Sequence, residues 1–472
     1  MNHARAFVLA LCFLGAILLV SEYQVLSESQ APAKLEAIRP RGASPLLVGV
    51  TDADGYVPGF GAPRSLPHKR DTCLSTRPPL YDEWRKWAKA HRCQLDDCAY
   101  RRIAEDLAPF IATGGIRKSQ IAKAAALDRT GVMRVVDNRL QRPVTTHWAM
   151  PQYAAMFNKL LLANATLPNV TMVVSVLDEP RVIAGTLTGE TVEGEAAKEP
   201  QLDAHLTESA RDVLRACPNS PFAQLIGKHA YLGDPASYSV TKELVPVLSA
   251  TKPVGCYEDI LIPGYHWYGE NWRKNVDGWN AENRWSDKIN DVVWRGSTTG
   301  TANTEENYMR SHRYRMVEFF RGRSDKRYDV AFNTPSQCAP ATCQAIRDNA
   351  LIRPSFEYPE LWKHKYFLDI DGNSFSMRFV YFLSSNSPAL HAVGGFTEFY
   401  HSWLTPGEHF VPFSFDFTDI DDKVTYLLEH DAEARKIAEA SRVLMKRHGR
   451  VDDGLCYLYR LIIEYASLVV DE

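Results

Sequence analysis

The feature that most constrains the fold is a continuous apolar, β-branched run at residues 171–177, which follows a helical stretch at 152–163. Such a run is typical of a strand that is buried on both faces, because a half-exposed strand would alternate polar and apolar residues. Strand-like and helical segments continue to alternate along the rest of the chain. We therefore predict an α/β protein with two doubly wound layers.

The remaining elements are predicted from hydrophobic periodicity. We expect helices at 81–91, 98–112, 308–321, 375–383, 431–448 and 454–468, and strands at 244–249, 291–294 and 389–393. The segment 185–203 is acidic and poor in large apolar side chains, which indicates a surface insertion.

The chain is long enough, at 472 residues, for two or three domains, and its content of 45% apolar and 24% charged residues is ordinary for a globular protein. The formal net charge of −3 at pH 7 offers no basic excess for a phosphate backbone. This balance argues against nucleic acid as a partner.

The N-terminus has the pattern of a targeting segment. Arg5 precedes an unbroken apolar run at 6–20 and Glu22 follows it, a polarity that places the N-terminus in the cytosol. We predict a signal anchor at 1–26, with a cleaved signal peptide as the alternative, and a Pro-, Gly- and Ser-containing stem at 27–71. The prediction is a single-pass type II membrane protein of the Golgi or endoplasmic reticulum lumen, secreted if the segment is cleaved.

The cysteine content agrees with an oxidising compartment. Of nine cysteines one lies in the apolar run, and the even number that remains permits full pairing. The pairs Cys93/Cys98 and Cys338/Cys343 are close enough in sequence to close short disulfide loops. Two N-glycosylation acceptor triplets point to the same compartment, at Asn164 and Asn169.

A candidate anion site lies where the strand predicted at 291–294 ends. Arg295 is followed there by five small or hydroxyl-bearing residues, up to Gly300. Small side chains let backbone N–H groups approach an anion, hydroxyls add donors, and the arginine supplies charge. The alternative is an ordinary turn after a strand.

A second candidate loop contains Gly372, Asn373 and Ser374 and opens into a predicted helix that carries Arg378. A helix start with free N–H groups and an arginine suits a diphosphate. The alternative is a capped helix with Ser374 as N-cap and Arg378 in a surface ion pair. Two such loops in one half of the chain favour a nucleotide site.

Asp178 directly follows the buried strand predicted at 171–177. The carboxyl ends of strands are where α/β folds place catalytic groups, so Asp178 is our candidate general base. The alternative is an aspartate that only caps a turn or helix. Lone histidines such as His147, His266 and His409 are more simply structural.

Acidic residues spaced two apart are a possible metal site, because such pairs can hold a divalent cation that bridges a diphosphate. They occur at Asp52/Asp54, Asp369/Asp371 and Asp419/Asp421. Since arginines can neutralise a diphosphate without a metal, we predict no metal, and the alternative is a metal-dependent enzyme that uses Asp369 and Asp371.

Several motifs together resemble those of glycosyltransferase family 90, the group of fungal capsule-associated proteins and animal protein O-glucosyltransferases. The resemblance runs from about residue 100 to residue 465 and keeps the family's order. The motifs lie at 105–110, 114–116, 138–140, 167–168, 178–180, 246–249, 258–263, 294–297, 372–378, Glu398 and 409–412.

The resemblance implies a GT-B fold, in which two Rossmann-like domains face a cleft. We expect an acceptor-side domain at 72–275, a nucleotide-sugar-binding domain at 276–450 and a C-terminal helix at 451–472. It also implies inverting transfer from a UDP-sugar, without a metal or other cofactor. We predict that the sugar is xylose or glucose and that the acceptor is a hydroxyl of a glycan or glycoprotein.

The two loops and the resemblance together define a predicted nucleotide-sugar site. Its members are Arg295, Gly296, Ser297, Thr298, Gly372, Asn373, Ser374, Ser376, Arg378 and Glu398. Either Arg310 or Arg313 matches a further donor-contacting arginine of the family.

The sequence departs from the family pattern in two places. In animal relatives an aspartate shortly after the motif at 138–140 acts as the catalytic base, whereas residues 142–147 contain no acidic side chain here. The catalytic base is therefore not transferred by resemblance, and a catalytically silent protein that binds glycans or proteins is the alternative function. The aromatic residue expected before the motif at 409–412 is replaced by Gly407 and Glu408.

Overall fold

The computed structural model describes residues 73–183 and 239–472, apart from 75, 144–146, 148, 254, 269 and 324–326, together with 211, 214 and 215. The predicted anchor, stem and surface insertion, with Asp52 and Asp54, lie outside the described residues. Among the residues that are described, no helix combines the length and the apolar character that a membrane span requires.

The structure is mixed α/β. Its described strands are β1 (Ile116–Arg117), β2 (Thr130–Val136), β3 (Arg139–Leu140), β4 (Val170–Ser175), β5 (Val247–Ser249), β6 (Thr251–Pro253), β7 (Ile260–Leu261), β8 (Ile289–Ser297), β9 (Tyr328–Thr334), β10 (His364–Asp369), β11 (Ala389–Val393), β12 (Phe396–Glu398), β13 (Val411–Ser414) and β14 (Val469–Val470). Its described α-helices are α1 (Tyr81–Ala90), α2 (Arg101–Ala112), α3 (Lys118–Ala125), α4 (Met150–Leu162), α5 (Glu270–Glu282), α6 (His312–Arg321), α7 (Pro340–Asn349), α8 (Tyr358–Leu361), α9 (Phe379–Leu383), α10 (Ile420–Glu429), α11 (Asp431–His448) and α12 (Val451–Leu468).

The C-terminal sheet is parallel throughout, in the order β9-β8-β10-β11-β13. Successive residues of a strand face opposite sides, so the packing partners show which helices cover each face. Val293 and Phe367 belong to an apolar cluster that includes α9, whereas Val292 and Tyr366 belong to a second cluster with α6 and α10. Both faces are therefore covered, as expected for a doubly wound layer.

The N-terminal sheet has the order β3-β2-β4-β5-β7 and is mixed rather than wholly parallel. The predicted buried strand is confirmed as β4, which runs parallel to β5. At the other side β2 is antiparallel to both β3 and β4. Asp137 and Asn138, with φ of 50° and 56°, form the two-residue turn between β2 and β3. Two consecutive positive φ angles fit a hairpin turn, which makes the edge of this layer antiparallel.

Elements from the C-terminal part of the chain complete the N-terminal layer. Helix α12 packs against α1, α2 and α4, and β12 pairs antiparallel with β6. In the middle of α12 the fully buried Arg460 bonds to Glu464 at 2.7 Å and to Asp97 at 2.8 Å. Opposite charges in this arrangement satisfy each other where water is excluded.

Two predicted helices begin later than expected. The helix predicted at 375–383 starts at Phe379, because the Phe379 N–H donates to the Ser376 carbonyl and closes a turn before the helix. The helix predicted at 308–321 is divided at Ser311, whose extended backbone and hydroxyl cap the start of α6 at the Tyr314 N–H. Ser374 is therefore not an N-cap, and Arg378 itself occupies the cap position of α9.

The predicted pair Cys338–Cys343 is confirmed, and the predicted pair Cys93/Cys98 is wrong. Cys98 pairs instead with Cys73, and Cys93 pairs with a cysteine of α12, Cys456. Cys93 lies just beyond α1, which packs against α12, so tertiary contact determines its partner. Cys256 is disulfide-bonded as well.

We predict that the pair of substitutions Cys93→Ser and Cys456→Ser lowers the free energy of unfolding by about 3–5 kcal/mol, because this disulfide closes a sequence separation of 363 residues. The matched pair Cys338→Ser and Cys343→Ser, with a separation of 5, should cost about 2 kcal/mol. Urea denaturation of both variants measures the difference. Equal losses would contradict the role assigned to the long-range disulfide.

Candidate active site

The site lies at the point where the strand order of the parallel sheet reverses. The chain goes from β8 outward to β9 and then returns across β8 to β10. In open α/β sheets ligands bind in the crevice outside the carboxyl ends of the strands at such a switch point. The two loops singled out in the sequence leave the sheet here, one after β8 and the other after β10.

The end of β8 and the loop that follows it need glycine at one position each. A Cβ on Gly296 would lie 2.6 Å from the Trp294 ring, and Gly300 has a φ of +115° with His312 only 2.2 Å from its ideal Cβ. Both close approaches exclude a side chain. Thr298 points into the protein instead, where its hydroxyl donates to the Ser336 carbonyl and accepts from the Ser336 N–H.

The loop after β10 is fastened to the first loop. The Gly372 N–H donates to the Ser374 carbonyl at 2.9 Å, which closes a tight turn. The Asn373 side-chain oxygen accepts from the Gly300 N–H at 2.8 Å. These bonds hold the two small-residue segments side by side.

Arg313 on α6 lies under both loops and connects them. Its guanidinium donates to the Ser297 carbonyl and the Thr299 hydroxyl of the first loop, at 3.1 and 2.7 Å. It also donates to the carbonyls of Ile370 and Asp371 in the second loop, at 3.2 and 2.8 Å. Of the two arginines considered from sequence, Arg313 and not Arg310 lines the cavity.

Arg295 and Arg378, the other two arginines of the site, differ in whether their charge is paired with a carboxylate. Arg295 directs its guanidinium at Asp329, with both carboxylate oxygens at 2.8 Å, and at three backbone carbonyls. Its charge is therefore neutralised within the protein. Arg378 donates to the Arg295 carbonyl and, among the described residues, has no carboxylate partner. Its charge is available to the cavity.

The two loops enclose a cavity of about 390 Å³. Nine of the predicted residues line it: Asp178, Arg295, Gly296, Ser297, Gly372, Asn373, Ser374, Ser376 and Arg378. Prediction from sequence missed further lining residues, namely Tyr265, Thr299, Asn333, Phe375 and Met377. The position of Asn333 offers a signal that was not used: it lies one residue before the carboxyl end of β9, which runs parallel to β8.

Asp178 reaches the cavity from the N-terminal sheet, at the carboxyl end of β4. It is exposed, and Tyr265 lies on the same side of the cavity. Burial raises the pKa of Tyr265, and the negative charge of Asp178 raises it further. Asp178 is thus the one carboxylate among the residues that line the cavity.

Glu398 does not line the cavity with the other predicted residues. It is 1% exposed and lies behind the wall, where Oε1 is 2.9 Å from His266 Nε2 and Oε2 accepts from the Tyr400 hydroxyl at 3.0 Å. The His266 ring in turn stacks on Phe375, which does line the cavity. The structure therefore gives Glu398 a supporting position.

The acidic pairs are engaged in bonds to protein groups. Asp369 accepts from the Ser376 hydroxyl and from His391, and Asp421 pairs with Arg323. Asp419 pairs with a lysine of α10. Among the described residues no group of three or more His, Cys, Asp or Glu side chains is arranged to hold a metal ion.

The region where the sequence departs from the family pattern is partly described. Residues 144–146 and 148 lie outside the described residues. Gly407, with a φ of +82°, makes a turn closed by the Phe410 carbonyl, and Glu408 is exposed. Neither residue lines the cavity.

The sheet is doubly wound and has an arginine-containing, glycine-walled cavity at its switch point, which is the place where α/β folds of this kind hold their ligands. Residues 256–472 match the family model for glycosyl transferase family 90, and this segment of the chain belongs to that family. The resemblance identified from the motifs is confirmed.

The curated relatives that match this chain are named as O-glucosyltransferases. The chain is 28% identical to protein O-glucosyltransferase 2 of Danio rerio over 39% of this chain and 34% of that protein. It is 27% identical to human protein O-glucosyltransferase 1 over 23% of this chain and 27% of that protein. It is 24% identical to the O-glucosyltransferase rumi homolog of Aedes aegypti over 48% of this chain and 57% of that protein. The matches thus span less than two thirds of each relative.

We predict that Arg313→Ala loosens both loops of the site, because four acceptors lose their shared donor. Amide hydrogen exchange should rise at 296–300 and at 370–374, and the free energy of unfolding should fall by about 2–4 kcal/mol. Arg310→Ala, three residues earlier and outside the cavity, is the matched control. Unchanged exchange in both loops of Arg313→Ala would contradict the bridging role.

Proposed function

We propose that this protein is an inverting, metal-independent glycosyltransferase that moves xylose or glucose from a UDP donor to a hydroxyl of a glycan or glycoprotein. The observation that carries the proposal is the cavity at the switch point, where Arg378 and Arg313 face backbone turns built from glycine and serine. Membership of the C-terminal segment in a glycosyl transferase family supports it. The names of the relatives favour glucose and a protein acceptor.

The charges of the cavity suit a nucleoside diphosphate. A diphosphate is negative, and Arg378 has no carboxylate partner among the described residues. Arginine forks and backbone N–H groups aimed at a leaving diphosphate would stabilise the charge that develops as the glycosidic bond breaks. The volume of about 390 Å³ lies in the range of small-molecule sites. This supports donor binding by the C-terminal half without a metal.

We propose the GT-B arrangement on the same grounds. Two five-stranded sheets contribute to one cavity, the C-terminal sheet through both loops and the N-terminal sheet through Asp178. The domain limits at 72–275, 276–450 and 451–472 remain predictions, and α12 packs on the N-terminal layer. In this arrangement the acceptor approaches from the side of Asp178.

Asp178 is our proposed general base. An inverting transfer needs a group that takes the proton of the acceptor hydroxyl as this oxygen attacks the anomeric carbon and UDP departs from the opposite face. A carboxylate that the N-terminal sheet contributes to the same cavity suits that role.

The proposed location is the lumen of the endoplasmic reticulum or Golgi, with the N-terminal segment as anchor. Disulfides and exposed acceptor asparagines at 164 and 169 support that compartment.

We predict that the wild type releases UDP from UDP-glucose or UDP-xylose in a donor screen, and that Arg378→Ala lowers kcat/KM by roughly 10²–10³-fold. Arg378→Lys should recover little of the lost kcat/KM, because lysine lacks the planar guanidinium group that can donate two parallel hydrogen bonds. Arg442→Ala, a surface arginine paired with Glu439, is the control. Absence of UDP release and of UDP binding by calorimetry would favour the silent binding protein instead. Loss of turnover in a chelator would contradict the metal-independent mechanism.

We predict that Asp178→Asn lowers kcat by roughly 10²–10⁴-fold while UDP affinity stays near that of the wild type. Asparagine keeps the size and most hydrogen bonds of aspartate but does not accept the proton. If Asp178 only capped its loop, the Asp178→Asn variant would preserve turnover, since asparagine caps about as well as aspartate. Glu179 and His147 would then be the next residues to substitute.

A further inference from the structure

A buried chain of hydrogen bonds ends at Ser376 in the wall of the cavity. The Ser376 hydroxyl bonds to Asp369 Oδ1, and His391 Nδ1 lies 2.8 Å from Asp369 Oδ2. The three residues are 6%, 0% and 6% exposed. The His391 ring stacks on Phe379 with centroids 3.9 Å apart, which fixes its orientation. Ser376 is therefore held by a rigid support.

The hydrogen-bond geometry shows which group supplies each hydrogen in this chain. Both oxygens of Asp369 have a partner, the Ser376 hydroxyl at Oδ1 and His391 Nδ1 at Oδ2. As the shared acceptor of these two groups, the Asp369 side chain receives the hydroxyl hydrogen of Ser376, because carboxylate oxygens accept hydrogen bonds.

The single hydroxyl hydrogen of Ser376 is consequently committed to Asp369. What Ser376 has left is the lone pairs of its oxygen, to which no described residue donates. Phosphoryl oxygens at neutral pH are acceptors, so they find no hydrogen there. Ser374 and the loop N–H groups other than those of Gly300 and Gly372 do not share this restriction.

We propose that Ser376 accepts a hydrogen bond from a hydroxyl or N–H group of the nucleotide-sugar, on its sugar or its nucleoside, and does not bind the diphosphate. This rests on the proposed function and narrows the sequence prediction, which made Ser376 a member of the nucleotide-sugar site without choosing the part of the donor that it contacts. Ser376 then selects for the hydroxyl-bearing part of the donor. Asp369 and His391 act through Ser376 as positioning residues.

The test compares pyrophosphate, UDP and UDP-glucose as ligands of Ser376→Ala, with affinities measured by calorimetry. Pyrophosphate should bind within twofold of the wild type, while UDP-glucose binds at least tenfold more weakly. If Ser376→Ala also binds UDP more weakly, Ser376 contacts the nucleoside. If its UDP affinity is unchanged, Ser376 contacts the sugar. Ser441→Ala is the matched control, because Ser441 is also buried but donates to the Leu383 carbonyl away from the cavity.

A second variant tests the direction of the hydrogen bond. In Asp369→Asn the side-chain oxygen can still accept from His391, while the amide donates to one of the two lone pairs of Ser376 and frees the Ser376 hydroxyl hydrogen. We expect a lower UDP-glucose affinity than in the wild type, with pyrophosphate bound at least as well as by the wild type because the freed hydrogen can be donated to a phosphoryl oxygen.

Two results would overturn the proposal. One is a loss of pyrophosphate affinity in Ser376→Ala as large as that for UDP-glucose, and the other is unchanged binding of all three ligands. If either result is obtained while the wild type turns over normally, the proposed function stands and only the role of Ser376 is rejected. If the wild type binds neither UDP nor UDP-glucose, the proposed function and the role of Ser376 are both rejected.

Discussion

The candidate site depends on one guanidinium group that joins two loops. The loops after β8 and β10 consist largely of glycine, serine, threonine and asparagine, which have no apolar side chains with which to pack against each other. Arg313 replaces that packing by donating to backbone and hydroxyl oxygens of both loops. Its own position is fixed by α6, which begins at the Ser311 cap. The small residues remain open to a ligand because the arginine supports them from behind.

Charge is distributed across the site in a consistent way. The acids Asp369, Asp371 and Glu398 are buried behind the cavity wall, each in contact with a hydrogen-bond donor. Arg378 lies at the wall without a carboxylate partner among the described residues. On the side of the cavity formed by the C-terminal sheet, Arg378 is therefore a lining residue, whereas these three acids do not line the cavity.

The two sheets are held together by several interactions that cross the sequence. Strand β12 pairs with β6, and Glu398 at the end of β12 bonds to His266 beside Tyr265. Helix α12 returns to the N-terminal layer and is fastened there by the Cys93–Cys456 disulfide. These contacts bring Asp178 and Tyr265 into the same cavity as the arginines.

The sequence by itself determined the α/β class, the buried strand β4, the two loops and the family, because each of these depends on residues that are contiguous or in fixed order. Tertiary structure alone decided the disulfide partners of Cys93 and Cys98, the choice of Arg313 over Arg310, and the withdrawal of Glu398 and Thr298 from the cavity. It also decided that Arg295 is neutralised by Asp329 and that Asp369 binds Ser376. A local pattern shows which residue types are present, whereas the direction of a side chain and the partner that satisfies its charge depend on groups distant in the chain.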